Sequence, residues 1–158
     1  MKNRIAVPVM KVLQLLFLLS VTAELALGQI TVNGGNISLA VTTAIAGSEP
    51  NAVINVVAEV RYQRQTVVTK ITVATICPGQ RFNLNVSATS VGGGTAAPQV
   101  SLVNGMLATD FLTGVPLRPP GGFFTASLQY VASSTFAQGN SAELGNDVHT
   151  VTYTLVAQ

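Results

Sequence analysis

The chain is short of the groups that carry acid–base, redox and metal chemistry. Its 158 residues include one cysteine, one histidine and no tryptophan, and only 9% are charged. A single cysteine excludes an intramolecular disulfide. One cysteine and one histidine also fall short of the several Cys and His ligands that zinc usually takes. There is no Gly-x-Ser-x-Gly turn for a nucleophile. The acidic residues beyond the N-terminus, Glu49, Glu59, Asp110, Glu143 and Asp147, are scattered and do not suggest the flanking carboxylate pair of a glycosidase. Glu143 and Asp147 lie near a Gly- and Asn-containing loop, but no Asp-x-Asp spacing makes them a calcium site. His149 with Asp147 and a distant serine is a hydrolase triad only in principle. The simpler expectation is a strand-end histidine that faces solvent or caps the core. We therefore expect a non-catalytic protein without cofactor or metal.

Long apolar runs are also missing. Residues 12–21 follow Met10 and Lys11 and are mostly apolar, but they fall short of the roughly 20 residues a membrane-spanning helix needs. A basic start, a short apolar run and the small residues Ala26 and Gly28 just before Gln29 have the layout of a secretory signal peptide. The expected organisation is a signal peptide over residues 1–28 and one domain over 29–158, with no stable membrane span in the mature chain. The product is then secreted, to the periplasm, the cell surface or the medium. Cleavage removes Lys2, Arg4 and Lys11 from the 8 basic residues and Glu24 from the 6 acidic ones, so the mature chain is neutral. The pI of about 9.0 belongs to the precursor. Without clustered Lys and Arg, no nucleic-acid partner is expected. A neutral surface of Thr, Ser, Asn and Gln is poorly defended against self-association, so the expected partners are other protein subunits, surface partners or further copies of this chain.

What the chain does have is alternation. Ile37, Leu39 and Val41; Ile54, Val56, Ala58, Val60 and Tyr62; Phe82, Leu84, Val86 and Ala88; Val100 and Leu102; Phe124, Ala126, Leu128 and Tyr130; and Val151, Tyr153 and Leu155 each alternate with polar or differently facing residues. Period two marks strands with one buried face. The run 67–76 has apolar residues on both faces and reads as a more buried, central strand, despite Lys70 and Thr72. Gly- and Pro-rich turns fall between the runs, at residues 47–50, 78–79, 92–94, 104–105, 119–122 and 145–147. No helix is expected beyond the signal. Seven to eight short strands at this spacing predict an all-β, single antiparallel β-sandwich, immunoglobulin-like or pilin-like, with a small closed barrel as the alternative.

Four residues stand out as candidate binding or assembly positions. Cys77 sits at a strand end before Pro78 and Gly79; an odd cysteine in an exported protein offers intermolecular pairing, against the blander role of a small buried side chain. Phe123 follows a flexible loop and offers a ring for stacking. Ile30 and Val32 lie in the N-terminal alternating run 29–41, the candidate donor for strand addition to a neighbouring chain; the last strand, near 148–156, is the alternative edge. The plainer arrangement pairs both termini within their own sandwich.

The segments HTVTYTLV at 149–156 and DFLTGVP at 110–116 resemble parts of small exported bacterial β-sandwich proteins. A looser similarity runs to spore-coat-protein-U and pilin-like secreted subunits, although the single Cys77 departs from the disulfide found in many pilin-like chains. The resemblance implies a structural role and no catalytic residues. The expected function is an exported structural or adhesive protein, such as a fibre or coat subunit. The alternative is a carbohydrate- or protein-binding module using Tyr62, Phe111, Phe123, Tyr130 and Phe136.

Overall fold

A computed structural model describes residues 28–64, 66–117, 122–139 and 141–158. The expected signal peptide up to residue 27, and most of the 119–122 turn, lie outside the described residues. Gly28, the expected last residue of the signal, opens the first strand opposite Arg64.

The described chain folds into two antiparallel sheets, and neither closes into a barrel. The first contains β1 (Gly28–Asn33), β2 (Val53–Asn55), β3 (Glu59–Arg64), β5 (Asn83–Thr89), β7 (Val100–Ser101) and β9 (Phe124–Ser133). Its order is β1-β3-β9-β5-β7, with β2 also paired to β9. The second contains β4 (Thr69–Ile76), β6 (Thr95–Ala96), β8 (Thr109–Val115) and β10 (Thr150–Ala157), in the order β10-β4-β8-β6. Between β9 and β10 lie a 3-10 turn at Phe136–Gln138 and a single helical turn, α1 (Ser141–Leu144), where the sequence predicts none.

The inward-facing residues of both sheets build one core, alternate along the strands except in β8, where the adjacent Phe111 and Leu112 are both buried. Val60 and Tyr62 of β3, Val86 of β5, and Ala126, Leu128 and Tyr130 of β9 pack in the same cluster as Ile71 and Val73 of β4, Phe111, Leu112 and Val115 of β8, and Tyr153 and Leu155 of β10. Burying each large apolar side chain contributes roughly 1.5–3 kcal/mol relative to exposure, which is why the alternation specifies the faces so firmly. The Tyr130 and Tyr153 hydroxyls meet 2.9 Å apart, joining the two sheets inside the core.

β4 takes the central place its sequence predicts, between β10 and β8. Its second face is buried only in part: Thr72 is buried, Lys70 and Ala74 are half-buried, and Ile76 at the strand end is 61% exposed. Lys70, out of keeping with a central strand, is matched by the Asp110 carboxylate 2.7 Å away on β8. At that exposure the pair is worth about 0–1 kcal/mol.

Two alternating runs behave differently from expectation. The run 54–62 is split into β2 and β3, both paired to β9. The Asn55 side chain accepts the N–H of Val57 at 3.0 Å, which draws the backbone off the ladder, a local competition typical of Asn. Pairing resumes where Leu128 donates its N–H to the Ala58 carbonyl. The run 37–41 keeps its alternation, with Ile37 and Leu39 packed on the core, yet it belongs to neither sheet. Period two reports a half-buried extended face; it does not report a hydrogen-bonded neighbour.

Candidate functional site

Both sheets end on one flank in a long strand, and these two strands, β1 and β10, touch. Both are paired within the chain, β1 along β3 and β10 along β4. Neither β1 (GQITVN) nor β10 (TVTYTLVA) contains a charged residue or a proline. On the other flank the sheets end in β7 and β6, each only two residues long. Edge strands offer unpaired backbone groups to other chains, and proteins blunt them with charge, proline or shortness. Here only the β6/β7 flank carries such a device. Ile30 is half-buried against the core opposite Tyr62, and Val32, opposite Val60, is 48% exposed.

The aromatic candidates disperse. Tyr62, Phe111 and Tyr130 are core residues. Phe123 is half-buried with the Arg61 guanidinium over its ring at 4.0 Å, so that face of the ring is covered by a cation. Phe124 packs 6.0 Å from Tyr62, beside Gly93, where an added Cβ would come within 2.6 Å of the Phe124 ring. Phe136 is exposed.

The chemically richest place in the fold is a corner the sequence does not bring together. β10 runs antiparallel to β4 with Thr150 opposite Ile76. One step further along that register, His149 falls opposite Cys77. Residues 147 and 149 continue the inward-facing parity of Val151, Tyr153 and Leu155 along the last strand. Cys77, Asp147 and His149 thus meet at the rim of the core, with one ligand atom from each, a sulfur, a carboxylate oxygen and a ring nitrogen, all within 4.8 Å of one another. Cys77 is 1% exposed, while Asp147 and His149 are half-buried.

Each of the three is held by neighbours. Asp147 accepts the backbone N–H groups of Arg81 and Phe82 at 2.9 and 2.8 Å, both on Oδ2. The Cys77 backbone N–H goes to Asn104 Oδ1 at 2.8 Å. The Thr75 hydroxyl lies 3.2 Å from His149 Nδ1 and 3.3 Å from the Thr150 carbonyl oxygen. If its one proton goes to that carbonyl, the ring must donate from Nδ1, and the lone pair sits on Nε2.

The electrostatics argue against a nucleophile. Burial pushes the Cys77 thiol up, and the Asp147 charge adds to this, against a backbone hydrogen bond at Val148 that lowers it. Burial pushes His149 down, opposed by Asp147. A reactive cysteine needs its thiolate stabilised, and the orienting acid of a triad must hold the histidine. Here Thr75 holds the imidazole, and the carboxylate holds two amides. Burial of the sulfur also closes the route to an intermolecular disulfide in the folded chain.

No family model, curated protein or solved structure matches this chain. No helix among the described residues is long and apolar enough to cross a membrane.

Proposed function

We propose that this is an exported structural or adhesive protein, a coat- or fibre-type subunit with an immunoglobulin-like or pilin-like sandwich, that self-associates through the β1/β10 flank. What carries the reading is the contrast between the two flanks: six- and eight-residue terminal strands without charge or proline on one side, against two-residue strands on the other. The unladdered run at 36–42 adds a second extended backbone segment on the same N-terminal stretch. The neutral Thr-rich surface, the signal-like N-terminus and the likeness to secreted coat and pilin-like subunits support the same reading. A carbohydrate platform has less support, because three of the five rings it would use are core residues.

The test is light scattering and negative-stain electron microscopy on the purified protein and on a Thr152→Lys/Thr154→Lys variant. Both threonines are exposed on β10, and edge lysines are an established block to strand pairing. The expected result is a species of two or more chains for the parent protein and a folded monomer for the variant. A parent protein that stays monomeric over the full accessible concentration range, or a variant that assembles as the parent does, would refute the proposal.

A further inference from the structure

We propose that Cys77, Asp147 and His149 form a binding site for one divalent transition-metal ion of the zinc class, a site no sequence pattern announces. The donor set decides the class. Thiolate, imidazole and carboxylate together suit zinc and its neighbours. Calcium takes six to eight oxygens, and a sulfur and a nitrogen are the wrong partners for it.

The geometry is close to what an ion requires. Tetrahedral zinc with bonds of about 2.0–2.3 Å holds its ligand atoms roughly 3.3–3.8 Å apart. The three donor atoms already lie within 4.8 Å of one another, so closure needs shifts of about 1 Å between pairs. Three protein ligands leave the fourth position to water or to a group from another molecule.

The surroundings have the form of an outer shell. Metal-bound histidine usually engages a partner through its second ring nitrogen, and metal-bound carboxylates are themselves hydrogen-bonded. Thr75 stands 3.2 Å from His149 Nδ1, and an ion held through Nε2 would keep that contact as its outer shell. The Arg81 and Phe82 amides both occupy Asp147 Oδ2, leaving Oδ1 outside these bonds. Asn104 fixes the Cys77 backbone. The ion enters from the half-buried side formed by Asp147 and His149. On binding, the sulfur–metal bond replaces the S–H bond, and the thiol proton passes to solvent; no electron changes hands.

The experiment is titration of the reduced, metal-free protein with Co²⁺, read in the near-ultraviolet, with Zn²⁺ as competitor and thermal unfolding in parallel. The expected result is a thiolate-to-cobalt charge-transfer band that saturates at one equivalent and is displaced by Zn²⁺. At Zn²⁺ about a hundredfold above its Kd, the melting temperature should rise on the order of 10 °C. Cys77→Ala and His149→Gln should each lose the band. The His149→Gln variant keeps the sulfur in place, so the test survives if Cys77→Ala folds poorly. A folded parent protein that shows neither band nor thermal shift overturns the site. So does a band that persists in His149→Gln at parental affinity, because the ion would then be bound elsewhere.

Discussion

Phe111→Ala is expected to cost about 3–5 kcal/mol of folding stability, the usual range for deleting a buried aromatic ring. Phe111 is 1% exposed, and its ring centroid lies 5.2 Å from that of Tyr153 at an angle of 60°. It sits on β8 and reaches the edge strand β10 within the shared core, so the cavity would open where an edge strand is held. A domain of this size is stable by about 5–15 kcal/mol in total. The variant should therefore unfold at a much lower urea concentration with an unchanged slope. Phe136→Ala makes the matched control, because that ring is 62% exposed and surface changes usually stay within about 0.5 kcal/mol. A loss below about 1 kcal/mol for Phe111→Ala would mean that the ring is not packed as described.

The second large effect is alkaline. The three tyrosines of the chain are Tyr62, Tyr130 and Tyr153, and burial pushes all of them up. The upward shift of Tyr62 is opposed by a backbone hydrogen bond at Gly93, and that of Tyr130 by its bond to Tyr153. Tyr153, beside the Tyr130 oxygen, is raised furthest. In the unfolded chain all three ionise near pH 10. The folded state therefore keeps protons that the unfolded state releases. Stability from these groups is fully present below about pH 10 and is lost as pH rises beyond it. Tyrosinate absorbance should stay absent from the folded protein past that pH and then appear together with the loss of near-ultraviolet circular dichroism. Tyrosinate that forms gradually around pH 10 while the fold persists would contradict the burial of these hydroxyls.

Much of the fold is legible in the sequence because burial acts on every second residue of a strand. Val60 and Tyr62, Ala126 and Leu128, Tyr153 and Leu155 all point inward as their spacing predicts. The two-sheet, all-β architecture follows from the same pattern. What alternation cannot supply is pairing. It cannot tell that 37–41 lies extended on the core without a ladder, or that Asn55 breaks one run into β2 and β3. It also cannot tell that the second face of β4 is buried at Thr72 and open at Ile76. The metal corner was hidden for the same reason. Cys77 and His149 are 72 positions apart in sequence, and only the β4–β10 register makes them neighbours. Counting cysteines and histidines along the chain misses a site made of one of each with a carboxylate. The signal that reveals it is the pairing of a strand ending at Ile76 with one starting at Thr150.

The unequal flanks also carry a symmetry. A molecule with one pairing-competent side joins another copy through the same side, and an interface of that kind is related by a two-fold axis. Such an interface closes on itself. After two chains, the outward strands of the pair are the short β6 and β7, and growth by edge pairing ends. Any larger coat or fibre would then be a lattice whose repeating unit is the dimer, with the contacts between units drawn from the sheet faces.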